Sequence, residues 1–165
     1  MLAERKTFPD SNKNIVSARR LSENLLGLPI TEVKNMQILV GYRGTNVGKD
    51  LLDLAVRHAK AFGGRIQLVT SLPGGEKTTK KMIVEAEEHL AEAGKFLNEQ
   101  GIQHDTHLLI RNNSAGEDIV NFAAENSCDE IIIGVKSRSK VGKILFGRTA
   151  QHVILKANCP VVSVK

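Results

Sequence analysis

Aromatic residues and cysteines are scarce in this chain. It has no tryptophan, one tyrosine and five phenylalanines, so aromatic residues make up only 4% of the 165 positions. Proteins that bind single strands by stacking bases on aromatic side chains need more of them, so we do not expect nucleic acid as a partner. Cys128 and Cys159 are far apart in the sequence and fit neither a metal-binding spacing nor a disulfide framework. We therefore expect a reduced, cytoplasmic protein.

Long apolar runs are also missing. No apolar stretch approaches the length needed to span a bilayer, and the segment Met1–Lys6 lacks the apolar core of a signal peptide, so we expect no membrane partner. Apolar residues still make up 41% of the chain, which is enough for one core. We predict an N-terminal extension over residues 1–35, partly disordered, with a short helix within Ile15–Leu28, and one domain over residues 36–165. The extension either docks on the domain or, less favoured, binds a partner.

Acidic residues are absent from the last part of the chain. Residues Gly134–Lys165 contain seven lysines and arginines and no aspartate or glutamate. Because the whole chain carries a net charge of +5, the residues before Gly134 sum to −2. The positive charge is therefore concentrated at one junction between a predicted strand and a predicted helix.

The periodicity of the remaining chain alternates between two kinds of segment. Short apolar runs rich in Ile, Val and Leu are typical of strands buried on both faces, and longer segments with apolar residues three and four apart are typical of amphipathic helices. Their alternation predicts an α/β protein with a doubly wound parallel sheet, helices on both faces, and a ligand site beyond the carboxyl ends of the strands. We predict strands at 36–42, 65–72, 106–110, 129–134 and 160–164, and helices at 46–62, 79–100, from 114 or 115 onward, and at 147–157.

Two segments resemble known ligand-binding motifs but lack the spacing or the geometry that those motifs require. The run Gly44–Asp50 looks like a phosphate-binding Walker A loop, but only three residues separate its glycines and Asp50 follows the lysine where Ser or Thr is required. His104 and His107 are three apart at the start of a predicted strand, so we expect them on opposite faces and not on one metal. We find no Ser/His/Asp or Cys/His set, and we assign no catalytic or metal-binding residue.

The segment Gly134–Thr149 has the features of a phosphate site. Gly134 ends an apolar strand, and its lack of a Cβ lets a ligand approach the backbone. Gly147 opens a helix whose first N–H groups, on Arg148 and Thr149, favour anions. The loop between these glycines is basic, and the charges on it belong to Lys136, Arg138, Lys140 and Lys143.

From residue 36 to the C-terminus the chain resembles the universal stress protein family. The marks are the opening strand Ile38–Thr45, the terminal segment Cys159–Val164, and a motif of glycines between them. The ATP-binding branch has Gly, two residues, Gly, nine residues, then Gly and a hydroxyl residue. The same spacing here falls on Gly134, Ser137, Gly147 and Arg148.

Three residues depart from that pattern. Ser137 replaces the second glycine, and Arg148 replaces the hydroxyl residue, although Thr149 follows it directly. Arg43 stands where the family usually has an aspartate beside the nucleotide and any metal. Because Arg43 inverts that charge, it disfavours a metal-assisted triphosphate site and leaves open a metal-free nucleotide or another anionic ligand. The three departures together favour a protein of the same fold that binds no nucleotide.

The resemblance implies the adenine nucleotide alpha hydrolase-like fold, with strand order 3-2-1-4-5, and an adenine nucleotide (ATP, ADP or AMP) as the ligand. It implies a stress-response module that senses a nucleotide or binds an unknown protein partner, and a homodimer formed through the C-terminal strand Val161–Val164. Two alternatives stay open, namely a nucleotide-free dimeric interaction module and, at most, a slow ATP hydrolase. The expected ligand contacts are Gly41, Tyr42, Arg43, Ser71, Gly134, Lys136, Ser137, Arg138, Lys143, Gly147, Arg148 and Thr149.

Overall fold

The computed structural model describes residues 35–44, 48–135 and 147–165. These residues form one five-stranded sheet in which all neighbouring strands are parallel and the order is β3-β2-β1-β4-β5, as the sequence and its resemblance predicted. All of the predicted extension except its last residue, Asn35, lies outside the described residues. The strands are β1 (Gln37–Gly41), β2 (Arg65–Pro73), β3 (His104–Arg111), β4 (Glu130–Gly134) and β5 (Val161–Val164), and the helices are α1 (Gly48–Phe62), α2 (Lys80–Glu99), α3 (Ala115–Glu125) and α4 (Arg148–Lys156), with a 3₁₀ turn at Gly75–Lys77.

The core lies in two layers, one on each face of the sheet. Alternate residues of β1 point to opposite faces, so Ile38 and Val40 pack under α1 and α2, whereas Leu39 packs under α3 and α4. The central strands β1 and β4 are therefore apolar on both sides, which explains their continuous apolar sequences. Each helix contributes one apolar stripe, for example Leu90 and Leu97 on α2.

Local signals set most of the helix ends. The Thr79 side chain accepts a hydrogen bond from the Met82 amide at the start of α2. Ser114 and Glu117 form a reciprocal capping box at the start of α3. Gly63 ends α1 with a φ of 60°, a conformation that side chains with a Cβ disfavour. Residue 46, where the prediction begins this helix, lies outside the described residues.

Strand boundaries differ from the prediction by one or two residues, and two of these differences have a clear physical cause. Strand β3 begins at His104, two residues early, because its polar start pairs in register with Ile66 of β2. Strand β5 begins at Val161, since Pro160 has no N–H to donate to a ladder, and the half-buried Cys159 lies in the preceding turn instead of opening the strand.

The order of the strands determines where on the sheet a ligand site can form. The chain moves outward from β1 through β2 to β3, then crosses back so that β4 lies on the other side of β1. The loops that leave β1 and β4 therefore go to opposite faces, which leaves a crevice between them at the carboxyl edge of the sheet.

Candidate functional site

Two glycines mark the centre of this crevice. Gly41 ends β1 and pairs with Ile133 of β4, so Gly134 comes one residue further along the adjacent strand. A Cβ on Gly41 would lie 3.1 Å from side-chain carbons of both Ile119 and Ile133, so any larger residue would displace these side chains by a few tenths of an ångström. Gly134 is exposed, so its backbone is accessible at the edge.

The end of β2 extends past the end of β1. The Tyr42 amide donates to the Val69 carbonyl over 2.8 Å, so the peptide groups of Val69 face β1. Because alternate peptide groups along a strand point the same way, the N–H and C=O of Ser71 also face this side, beyond the end of β1. Within the described ranges, no hydrogen bond joins the Ser71 peptide to the chain that follows β1. A donor and an acceptor are therefore presented side by side at the crevice.

A buried carboxylate holds the Ser71 side chain. Asp118, in the first turns of α3, is fully buried and accepts from the Ser71 hydroxyl over 2.7 Å. Its other oxygen accepts from the Asn113 amide over 3.1 Å, which links the β3–α3 loop to the same group. The negative charge also benefits from its position near the helix N-terminus. This Asp118 network (Ser71, Asn113 and Asp118) fixes one wall of the crevice.

Tyr42 belongs to the core more than to the crevice. Its carbonyl accepts from the Thr70 hydroxyl over 2.8 Å, and its ring lies beside Gly48 at the start of α1. Burial, followed by the nearby charge of Glu92, raises the pKa of Tyr42, so the phenol stays neutral at physiological pH. Its role as a ligand contact stays a prediction.

The first turn of α4 begins without a side-chain cap from the described residues. Gly147 is the N-cap, with extended φ and ψ, and among the described residues no side chain caps this turn. The next residues, Arg148 and Thr149, are exposed and half-buried respectively. Because α4 connects two parallel strands, its N-terminus must lie at the carboxyl edge of the sheet, where its amides favour an anion.

The structure brings some of the predicted contacts to one edge and leaves others undetermined. Gly41, Ser71 and Gly134 meet through the strand register, and the exposed Arg43 follows β1 at the same edge. Lys136, Ser137, Arg138 and Lys143 lie outside the described residues, so their part in the site stays a prediction.

His104 and His107 lie on opposite faces of the sheet. His104 packs toward Gly94 of α2, whereas His107 lies 4.7 Å from the Phe122 ring of α3, so the two occupy opposite faces as expected. In the described part of the chain, no three His, Cys, Asp or Glu residues are grouped so as to hold a metal ion. None of the helices described there is both long and apolar enough to cross a membrane.

The sequence analysis missed the Asp118 network and the partner of His58. A weak signal for Asp118 existed, because it lies on α3 four residues before the buried Phe122 and so shares the apolar face. His58 received no role, yet its Nδ1 lies 2.9 Å from a carboxylate oxygen of the buried Glu130. No spacing in the sequence connects those two positions.

Known proteins resemble this chain in sequence and in fold. The model of the Universal stress protein family matches residues 34–165. The "Universal stress protein in QAH/OAS sulfhydrylase 3'region" of Thermus aquaticus is 28% identical over 137 residues, covering 78% of this chain and 97% of that protein. A solved universal stress protein from Archaeoglobus fulgidus is 35% identical with a TM-score of 0.72, covering 79% of this chain and 93% of that one. A structure from the same organism in complex with dAMP is 33% identical with a TM-score of 0.68, covering 81% and 99%. The shared architecture is the adenine nucleotide alpha hydrolase-like fold.

Proposed function

Because this chain belongs to the universal stress protein family, we propose that it binds an adenine nucleotide at the carboxyl edge of its sheet. It then acts as a stress-response module that senses the nucleotide or binds a protein partner. The observation that carries this proposal is the Ser71 peptide, which faces past the end of β1 at the same sheet edge as the N-terminus of α4.

The Ser71 peptide suits the edge of adenine. The base donates from its exocyclic amine and accepts at the adjacent ring nitrogen, which matches one C=O and one N–H side by side. Guanine presents a carbonyl oxygen and a ring N–H at the equivalent positions. The Ser71 C=O would then face the guanine carbonyl, and the Ser71 N–H would face the guanine ring N–H. This geometry supports a preference for adenine over guanine.

The phosphates would lie over the backbone of Gly134 and the first turn of α4. Gly147, Arg148 and Thr149 supply the helix N-terminus, and Ser137 adds a hydroxyl. Arg148 offers a fork of donors in place of the family's hydroxyl residue. Further positive charge would come from Lys136, Arg138 and Lys143.

Arg43 supports binding without metal. It is exposed, follows β1 directly and carries a positive charge where a metal ligand would need oxygen atoms. The dAMP complex of the Archaeoglobus fulgidus protein supports an adenine nucleotide as the ligand of this fold. Residues 41–43 and 71 would then hold the nucleoside.

The test is isothermal titration of ligand-free protein with ATP, AMP and GMP, with and without Mg²⁺. We expect AMP and ATP to bind more tightly than GMP and without dependence on Mg²⁺. Gly147→Glu should weaken binding by at least about tenfold, roughly 1.4 kcal/mol, because a carboxylate would face the phosphates.

Gly147→Ala is the matched control, because a Cβ there meets no described atom within 4 Å and should leave affinity unchanged. Equal affinity of wild type and Gly147→Glu would reject this phosphate site. No heat with any nucleotide would favour the nucleotide-free interaction module.

The edge strand β5 supports a homodimer. In the described sheet β5 pairs only with β4, so its other edge carries unpaired peptide groups beside the half-buried Val162 and Val164. We propose that two copies pair through Val161–Val164. Sedimentation at micromolar concentration should report the mass of a dimer, and a monomeric mass would refute the pairing.

A further inference from the structure

Cys128 and Cys159 are neighbours in the fold, although 30 residues separate them in the sequence. Ile131 pairs with Val161, and its amide donates to the Pro160 carbonyl over 2.9 Å. Cys128 lies two residues before β4 and Cys159 two residues before β5, so both thiols precede the starts of neighbouring strands. Neighbouring strands lie about 4.8 Å apart, which is within the range of Cα separations that disulfides bridge.

Both side chains point into the same layer of the core. Cys128 is a buried member of the cluster under α3 and α4, and the half-buried Cys159 packs against that cluster. Both line one cavity of about 260 Å³ that opens between the end of α3 and the turn before β5. Its other walls include Val120, Ala123, Ser127 and Asn158.

The surroundings keep both thiols protonated. Burial raises the pKa of Cys128 to about 11, with further contributions from the nearby Cys159 and Asp129. Burial also raises the pKa of Cys159, together with the carboxylates of Asp129 and Glu130. The effect of Cys159 on the pKa of Cys128 agrees with their closeness, and the protonated state makes both thiols slow nucleophiles at neutral pH.

We propose that Cys128 and Cys159 are a redox modification site, which a hydroperoxide entering the cavity converts to an intramolecular disulfide. This inference does not rest on the proposed nucleotide binding. The juxtaposition that carries it is two thiols, each two residues before one of two adjacent strands, that line one cavity in one core layer.

The reaction proceeds in two steps. The more exposed Cys159, as its thiolate, attacks one peroxide oxygen; the O–O bond breaks, an alcohol or water leaves, and Cys159 becomes a sulfenic acid. The Cys128 sulfur then attacks the Cys159 sulfur; the S–S bond forms, the S–O bond breaks, and the Cys128 proton leaves with the hydroxide as water. Overall two thiols are oxidised by two electrons and one hydroperoxide is reduced.

The disulfide would join the end of α3 to the turn that positions β5. Because Cys159 lies two residues before β5, the bond would restrict the strand through which we propose dimerisation. The dimer is a separate proposal, and an experiment that refuted the dimer would not contradict the disulfide.

The test treats the full chain with hydrogen peroxide and maps its tryptic peptides without reduction. Trypsin should release Cys128 within residues 112–136 and Cys159 within residues 157–165. We expect one cross-linked species of these two peptides, and a loss of about 2 Da from the intact chain as two hydrogens leave. The rate should rise about tenfold from pH 7 to pH 8, because the attacking thiolate is a small fraction at both.

Two variants separate the steps. In Cys128→Ala, a sulfenic acid at Cys159 should persist and react with dimedone, whereas in Cys159→Ala the Cys128 thiol should resist oxidation. Wild type that accumulates the dimedone adduct as fast as Cys128→Ala, without the cross-linked peptide, would overturn the proposal. A disulfide found only between two chains, or thiols that both survive hours of peroxide at pH 8, would overturn it too.

Discussion

Replacing Asp118 tests whether a buried carboxylate organises the wall of the crevice. Its side chain is 0% exposed and accepts from Ser71 over 2.7 Å and from Asn113 over 3.1 Å. Asp118→Ala leaves the buried Ser71 hydroxyl without its acceptor, whereas the exposed Asn113 can turn to water. A hydrogen bond to a charged group contributes about 1.5–3 kcal/mol, and leaving a buried donor without an acceptor costs a similar amount.

We therefore expect Asp118→Ala to lower the free energy of unfolding by about 2–4 kcal/mol, with relief of the buried charge offsetting part of the lost bonds. Asp118→Asn keeps the shape and one acceptor oxygen for Ser71, but it turns an NH₂ group toward the donor on Asn113. Its expected loss is smaller, about 1–2 kcal/mol.

The assay is equilibrium unfolding in urea, with the free energy extrapolated linearly to water and the slopes compared. Asn121→Ala is the control, because Asn121 lies on the same helix and is exposed, so the change should stay within about 0.5 kcal/mol. If Asp118→Ala loses less than about 1 kcal/mol, or if Asp118→Asn is equally damaging, the hydrogen-bond reasoning is wrong.

Two further predictions concern stability. Burial holds the pKa of His107 below its ordinary value of 6.5, although the charge of Asp105 offsets part of this effect. The neutral imidazole therefore stabilises the fold above pH 6.5. This stabilisation is lost as the pH falls toward the lowered pKa. His107→Gln should therefore flatten the loss of unfolding free energy between pH 7 and pH 5, and an unchanged slope in urea titrations across that range would contradict this. A Cβ on Gly116 would lie 2.9 Å from the His152 Cβ where α3 meets α4. We expect Gly116→Ala to lose about 1–2 kcal/mol, because overpacking outweighs the gain in helix propensity, and an equal or higher melting temperature would show that the helices can separate at little cost.

Most of the fold could be predicted from local patterns. The alternation of apolar runs with amphipathic segments indicated every strand and helix that the structure describes, and its boundaries were off by one or two residues. Ser114 with Glu117, and Thr79, were readable as caps because a cap is a contact between residues three apart. The conformational preferences of glycine likewise indicated the end of α1 at Gly63.

The site was only partly predictable. The sequence by itself determined which strand ends and which helix N-terminus would form the edge, because parallel strands alternating with helices bring these ends together. It could not show that the Ser71 hydroxyl belongs to Asp118, 47 residues away, or that His58 meets Glu130, 72 residues away. Cys128 and Cys159 looked unrelated for the same reason.

Local sequence determined the elements, because caps, turns and amphipathic periods depend on residues within a few positions of each other. Only the tertiary structure decided which buried polar groups and thiols meet. Those contacts depend on the register between strands and on which helix covers which face, and both follow from packing the whole core at once.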